Sequence, residues 1–387
     1  MSDGAIEAIA TPAVLAWARQ SAGFSLDEAA EKSHVDVALL SESEAGTKKL
    51  TLHQLRELAR VYKRPLGIFY LPEPPRDYSP VVDFRRATEA HTHMSPELTY
   101  EIRHAKERRE IALELLELAG EEIPTFPISA TIRTNAERLG EAIRGFLGIS
   151  VQQQIAWKGE PQAYSEWRVT LEDHGILVFQ ATGVSVEEAR GFSIATMPLP
   201  AIAVNSQDTH AGRIFTLFHE LAHICVRTSG ICDFSDAQQT EVFCNAVAAA
   251  ALLPKSVFLK DPLIAPSREA RSWSDEEIKI LSGRYHVSRE VILRRLLTFE
   301  KITRSFYERK RATLLAQYRK RKDSGPIPQT TLAVSRSGRF FVNLVLNSYQ
   351  QRRITGSDIA DFLNLRLKHL PRLQIELASS NPKTGGQ

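Results

Sequence analysis

The segment His219-Glu-Leu-Ala-His223 has the residue types and the spacing of a metal-binding motif. Residues four positions apart on a helix share one face, so the imidazoles of His219 and His223 would point at a single ion. Glu220 lies beside them, where the H-E-x-x-H pattern places the general base that takes a proton from attacking water. The pattern predicts zinc-dependent hydrolysis of a peptide bond.

The same three side chains have an ordinary alternative role, because a histidine on a helix more often packs or faces solvent than binds metal. The surrounding helix, IFTLFHELAHICV, is strongly apolar. Two histidines and a glutamate would be costly to bury there without partners. The apolar setting therefore favours the metal site.

A catalytic zinc needs a third protein ligand and an open position. The best candidate is Glu241, an acid on a second predicted helix that is otherwise apolar on its inner face. Asn245 follows one turn later on that face, where it would orient a ligand or the base. The alternatives are that Glu241 is a solvated acid at a helix start, or that Asp233 or Asp236, in a predicted loop, is the ligand.

The chain has three cysteines, Cys225, Cys232 and Cys244. Cys225 and Cys244 lie near the motif and are alternative ligands, but they fit better as small buried apolar side chains, and Cys232 as a loop residue. An odd cysteine count and an N-terminus without a secretory pattern predict a cytoplasmic protein without structural disulfides. The longest apolar stretch is too short for a bilayer, so no membrane partner is expected.

The chain from about residue 80 to residue 297 resembles the ImmA/IrrE-type metallopeptidases, and the motifs that carry the resemblance lie between Pro200 and Pro254. In that family a strand ending in Asn precedes an R-x-F-T-x-x-H-E-x-x-H helix, and a second helix carries E-x-x-x-N and closes with proline. The matching residues are Arg213, Phe215, Thr216, His219, Glu220, His223, Glu241, Asn245 and Pro254. The resemblance implies a Zn²⁺ ion with His219, His223 and Glu241 as ligands and Glu220 as base. Arg213 and Asn245 are expected around these ligands.

The elements that must position these residues divide the chain into three predicted domains. A helix-turn-helix domain is expected over 1–72, a zinc metallopeptidase domain over 73–300, and a basic helix with a small C-terminal α+β domain over 301–387. The fold class is therefore α+β, with a zincin-like core and an all-α N-terminal domain. The D-F-R element at Asp83 to Arg85 resembles the longer family members that have such an N-terminal domain.

Hydrophobic periodicity predicts the elements of the two later domains. Helices are expected at 94–120, 132–147, 211–227 and 237–253, and from 274 onward. Strands are expected in WRVTLEDHGILVFQA and PAIAVNS, and as a pair around AVSRSGRFFVNLVL with Ser337-Gly338 at its turn.

The N-terminal domain resembles the Cro/cI-type helix-turn-helix, with VALLSESEAG as the recognition helix. That helix offers Glu42 and Glu44 to the groove and no basic residue, and residues 1–72 carry 8 Lys/Arg against 9 Asp/Glu. Lys48, Lys49 and Arg56 follow the helix and are the candidate DNA contacts. DNA is thus one candidate partner, and the alternative is a domain kept for dimerisation or for docking a protein.

A second basic region is an alternative candidate for nucleic-acid binding. YHVSREVILRRLL places Ser288, Arg289, Arg294 and Arg295 in a setting like a helix-turn-helix, and the segment 301–322 is rich in lysine and arginine. The favoured interpretation is a solvated basic helix whose Phe306, Leu314 and Leu315 pack on the peptidase.

The function that these features favour is regulated proteolysis of a partner protein, a repressor or an antitoxin, as the family resemblance implies. One alternative is a toxin or phage-defence effector restrained by a cognate antitoxin. Another is a DNA-binding transcriptional regulator in which the zinc is structural or sensory. A net charge of +3 over 387 residues creates no strong field that would favour nucleic acid or membrane. The sequence leaves the oligomeric state open, a dimer included.

Overall fold

The computed structural model of the chain describes residues 6–75, 94–227, 234–267, 269–318 and 328–379. The chain groups into two compact units, which comprise Met1–Val81 with Thr88–His104, and Val82–Ala87 with Ala105–Gln387. Among the described residues, no helix combines the length and the apolar character needed to cross a membrane.

The smaller unit is a bundle of short helices. They are α1 (Pro12–Ser21), α2 (Leu26–Ser33), α3 (Val37–Glu44), α4 (Leu52–Tyr62) and a 3₁₀ helix (Leu66–Tyr70). Leu40, Leu55 and Phe69 are fully buried in its core. Ser25 and Thr51 are the N-caps of α2 and α4, and each forms a capping box.

Helix α5 (Pro96–Ala119) contributes residues to both units. The larger unit has the following elements, in chain order: α6 (Ala136–Leu147), α7 (Val151–Ala156), α8 (Glu160–Asp173), β1 (Leu177–Ala181), β2 (Gly191–Ile194), β3 (Ala201–Asn205), α9 (His210–Val226), α10 (Phe234–Leu252), α11 (Lys255–Phe258), α12 (Asp275–Tyr285), α13 (Arg289–Thr298), α14 (Arg304–Tyr318), α15 (Gln329–Ser337), α16 (Arg339–Gln350), α17 (Gly356–Phe362) and α18 (Leu370–Ser379).

A three-stranded sheet with the order β1-β3-β2 lies inside the larger unit. β1 pairs parallel with β3, and β2 pairs antiparallel with it. Val178, Ile202 and Val204 share one hydrophobic cluster with residues of α8 and α9. Phe179 points to the other face, where its ring centroid lies 6.3 Å from that of Phe341 on α16. Helices thus cover both faces of a small sheet, and the predicted α+β class is confirmed.

Close helix packing behind the sheet depends on a residue without a side chain. α10 packs against both α9 and α6. At Gly140 on α6, an added Cβ would lie 2.7 Å from the Cβ of Ala250 and 2.7 Å from the backbone nitrogen of Ala251. Because Gly140 faces Ala250, α6 can pack closely against α10. This packing fixes the position of α10 beside α9.

The strand predicted over WRVTLEDHGILVFQA is confirmed only in its second half. Its first half is the end of α8, and β1 begins at Leu177. Trp167 and Leu171 are fully buried one helical turn apart, and the Trp167 ring meets Phe218 of α9 at 4.8 Å between centroids. The helical period of these large residues decides the structure, against the strand preference of valine and threonine.

The strand pair predicted around Ser337-Gly338 is wrong, because this segment forms α15 and α16. Gly338 separates the two helices with a φ of 82°, a conformation that glycine adopts without strain. On α16, Phe341 and Val345 are fully buried at a spacing of four, so the aromatic and β-branched residues line a helix face. Residues 328–379 contain helices and no strand, so the small α+β domain expected at the C-terminus is helical.

Glu172, at the end of α8, connects the sheet region to the C-terminal helices. Its carboxylate is buried and accepts hydrogen bonds from the backbone N–H groups of Arg339 and Phe340 at 3.0 and 3.1 Å, which caps α16. Arg168, one turn earlier, pairs with Glu172 at 3.3 Å and donates to the carbonyl of Val178 at 2.8 Å. One buried ion pair therefore joins α8, β1 and α16.

We predict that Glu172→Ala lowers the free energy of unfolding by about 3 kcal/mol, because the change leaves Arg168 and two backbone N–H groups buried without their acceptor. Urea denaturation of the full-length protein measures the effect. The control is Glu308→Ala, which removes an exposed ion pair with Arg304 and should change stability by about 0–1 kcal/mol. Equal losses in the two variants would contradict the role of Glu172.

Candidate metal centre and helix-turn-helix surface

The start of α9 is anchored by a buried acid. Thr209 is the N-cap and accepts a hydrogen bond from the N–H of Gly212 at 3.0 Å. Asp208 is buried beneath this turn, accepts from the Thr209 N–H at 2.6 Å and pairs with Arg190 at 3.3 Å. A Cβ at Gly212 would lie 2.1 Å from the Asp208 carboxylate. Glycine is therefore needed for this anchor, and the anchor sets the position of α9.

Two turns further along α9, His219 and His223 bring their Nε2 atoms to 3.1 Å from each other. Glu241, on α10, places one carboxylate oxygen 3.3 Å from Nε2 of His219 and the other 3.0 Å from Nε2 of His223. The structure thus brings together the three predicted ligands. Within the part of the chain that the structure describes, they are the only such group of His, Cys, Asp and Glu side chains with ligand atoms close enough to hold a metal ion.

Glu220 points to the edge of the sheet. Its side chain is 3% exposed, and its Oε2 accepts a hydrogen bond from the Ser193 hydroxyl of β2 at 2.9 Å. The close approach of β2 to α9 depends on Gly191, where an added Cβ would lie 2.5 Å from both the Ala203 carbonyl oxygen and the Thr216 side chain. Ser193 is a site residue that the sequence analysis missed, because β2 is short and was not predicted as a strand.

The electrostatics of the cluster favour an ionised Glu241. Burial alone raises the pKa of Glu241, but hydrogen bonds from His219 and His223 and their positive charge bring the pKa well below its ordinary value. A deprotonated carboxylate is the form that binds metal.

The cysteines near the motif belong to the apolar core. Cys225 and Cys244 are fully buried within the main hydrophobic cluster. Burial raises the pKa of the Cys225 thiol to about 12, so this residue is a neutral thiol at physiological pH and not the thiolate that binds metals. Cys232 lies outside the described residues.

The remaining candidates, Arg213 and Asn245, are on the same two helices as the ligands. Asn245 is half-buried one turn after Glu241, and its side chain makes no hydrogen bond to another described residue. Arg213 donates to the Ser206 carbonyl and lies 5.6 Å from the Tyr164 ring centroid, contacts that connect α9 to the turn after β3. The structure does not describe Asp233 or the side chain of Asp236.

The helix-turn-helix surface has little free positive charge. Lys48 pairs with Glu42 at 2.7 Å and Lys49 with Glu7 at 3.1 Å, while Arg56 is exposed. On α3, the predicted recognition helix, the exposed side chains are Val37, Ala38 and Ser41. None of these three residue types recognises a particular base through hydrogen bonds. Serine can bond to several bases, and valine and alanine have no polar side-chain group.

Several side chains of the second basic region are buried or paired with acidic residues. Arg295 is 1% exposed and pairs with Glu137 at 2.9 Å, and Arg294 pairs with Glu290 at 2.8 Å. Phe306 of α14 is buried in the main cluster, and Leu314 packs against the same cluster. The predicted packing of α14 on the peptidase is confirmed for these two residues, whereas the Leu315 side chain lies outside the described part.

Comparison with known families agrees with the two functional regions. Residues 171–297 match the family model of the IrrE N-terminal-like domain, and residues 15–69 match the helix-turn-helix model. The first match includes the four residues of the cluster and implies a metallopeptidase. No curated protein and no solved structure matches the chain. The family resemblance drawn from the motifs is confirmed.

We predict that the helix-turn-helix domain binds DNA weakly or not at all, because Lys48 and Lys49 are already paired with acids and affinity for DNA depends largely on phosphate neutralisation. Fluorescence anisotropy of the full-length protein against duplex DNA from upstream of its own gene, at moderate salt, measures this. Nanomolar binding that depends on DNA sequence and is lost in Arg56→Ala would contradict the prediction.

Proposed function

We propose that this chain, whose larger unit contains an IrrE-type domain, is a zinc-dependent endopeptidase that acts in the cytoplasm on a partner regulatory protein. The observation that supports it best is the convergence of His219, His223 and Glu241 with Glu220 beside them. Each of these residues has the type and the place that metal-assisted hydrolysis requires.

The three ligand residues approach one another at the spacing that a zinc ion requires, with both oxygens of Glu241 facing the histidines. Ligands arranged tetrahedrally at about 2.0–2.1 Å from zinc lie about 3.3 Å from each other. The distances among the two Nε2 atoms and the nearest Glu241 oxygens are 3.1, 3.3 and 3.0 Å. Three protein ligands leave one coordination position open, as in catalytic rather than structural zinc sites.

A bound zinc ion would polarise the scissile carbonyl and acidify water. Glu220 takes the proton from the attacking water and can later deliver it to the leaving amine. The hydrogen bond from Ser193 fixes one oxygen of Glu220 and so orients its carboxylate. Ser193 is therefore a positioning residue that acts through Glu220.

The surroundings of the three ligands support a protein as the substrate. β2 is the edge of the sheet in the described residues, so an extended peptide can pair with it next to Ser193. A cavity of about 360 Å³ has Phe215, Arg190 and Arg294 in its wall, whereas the three ligands and Glu220 are not among its described lining residues. Phe215 connects this cavity to the ligands, because its ring centroid is 6.1 Å from that of His219.

The partner that we propose is a repressor or an antitoxin with a helix-turn-helix of its own. A helix-turn-helix domain can pair with a similar fold, and the smaller unit supplies one whose surface is poorly suited to DNA. Cleavage of such a partner would change gene expression in a stress response or in a mobile element.

We predict that Glu220→Gln keeps the metal and abolishes cleavage, because an amide preserves the size of the side chain but cannot accept the proton. Profiling of new protein N-termini in cells that express the wild type or a variant reads out cleavage without a known substrate. Glu141→Gln, the same change at an exposed position of α6, is the control and should resemble the wild type. If Glu220→Gln still produced the new N-termini, the residue would not be the base.

We also predict one zinc ion per chain, with large metal loss in both His219→Ala and Glu241→Ala, because each change removes a ligand. Elemental analysis of the purified proteins measures the zinc content. Asp261→Ala removes a buried acid from outside the cluster, where it pairs with Arg284, and should keep the metal. Full zinc occupancy in Glu241→Ala would exclude Glu241 as a ligand.

A further inference from the structure

A second cavity, of about 390 Å³, lies among the C-terminal helices of the larger unit. Its walls come from α15, from α17 with the turn that follows it, and from α5. The polar lining residues are Arg108, Gln329, Arg336, Asn364 and Arg366, and the others are leucines and alanines.

The charged residues that line this cavity are all positive. Three arginines line it, and no aspartate or glutamate is among the described lining residues. Arg108 is 3% exposed, donates from Nη1 to the Arg336 carbonyl at 3.3 Å and lies 5.5 Å from the Phe179 ring centroid. Like charges that line a partly buried space make it attractive to an anion.

Arg336 and Arg366 retain donors for such an anion. The Nε atom of Arg336 is buried, and no hydrogen-bond partner for it exists in the described part of the chain. Arg366 is exposed at the other wall of the cavity, and its side chain forms no ion pair within the described residues. An unmet buried donor is unusual in a folded protein, and a ligand that accepts from it would explain its presence.

We propose that this cavity binds a small molecule that carries a phosphate group. The planar fork of arginine donates two parallel hydrogen bonds to phosphate oxygens, and a doubly charged phosphate suits a cavity to which both Arg336 and Arg366 contribute. Gln329 and Asn364 can bond to polar groups on the remainder of the molecule, and Leu332 and Leu363 offer it an apolar surface. The volume lies within the range of small-molecule sites, about 300–1000 Å³.

The cavity is separate from the metal centre. Arg108 packs on Phe179, which points away from the sheet face that carries α9, whereas Val178 packs towards α9. α15, which carries Arg336, packs against β1. A bound phosphate would connect α15, α5 and the turn after α17, so ligand binding should raise the melting temperature of the larger unit.

Isothermal titration calorimetry of the full-length protein with inorganic phosphate, AMP and succinate tests the proposal. We expect phosphate and AMP to bind, AMP more tightly, and both to be weakened at least tenfold in Arg336→Gln and in Arg366→Gln. Arg372→Gln, an exposed arginine of α18 outside the cavity, is the matched control and should bind as the wild type does.

Three other results would count against the proposal. Absence of phosphate and AMP binding to the wild type would overturn the proposal, as would binding that persists unchanged in both cavity variants. Tighter binding of succinate than of phosphate or AMP would overturn the phosphate assignment. Arg366 is exposed, so Arg366→Gln keeps the test valid if Arg336→Gln fails to fold, which the melting temperature without ligand reveals.

Discussion

Four ionisable side chains lie inside an apolar layer, and the architecture of the larger unit follows from the need to keep them in contact. His219, Glu220 and His223 are buried on α9, and Glu241 reaches them from α10. Buried charges are tolerated only with partners, so each helix and strand around them must come close enough to supply one. The approach of β2 at Gly191 brings the Ser193 hydroxyl to Glu220, and the packing of α6 on α10 at Gly140 supports the position of Glu241.

Much of this centre could be predicted from the sequence because it is local. Helical spacing alone places His219 and His223 on one face, and an acid on a second apolar helix identifies Glu241. Ser193 could not be found in this way, since its contact with Glu220 joins residues from a four-residue strand and a helix that meet only in the folded sheet. The zinc itself and the roles of Asn245 and Arg213 stay predictions.

The errors in the secondary structure have a common physical cause. Valine, threonine and phenylalanine in WRVTLED and RFFVNLVL suggested strands, but in both segments large buried residues recur at a spacing of four. Burial against neighbouring helices outweighed local preference in each case. In the smaller unit, by contrast, helix starts depend on short-range signals: the capping boxes at Ser25 and Thr51 involve residues only three apart.

The buried carboxylate of Glu172 also has a consequence for synthesis on the ribosome. Its acceptor oxygens meet the backbone of Arg339 and Phe340, 167 and 168 positions later in the chain. Since the chain emerges from its N-terminus at about 5–20 residues per second, the backbone groups that complete the environment of Glu172 are made roughly 8–33 seconds after α8. During that time the metal-binding helices are already outside the ribosome, but the layer that covers the other face of their sheet is missing. A nascent chain therefore acquires its finished core only after α16 has been made.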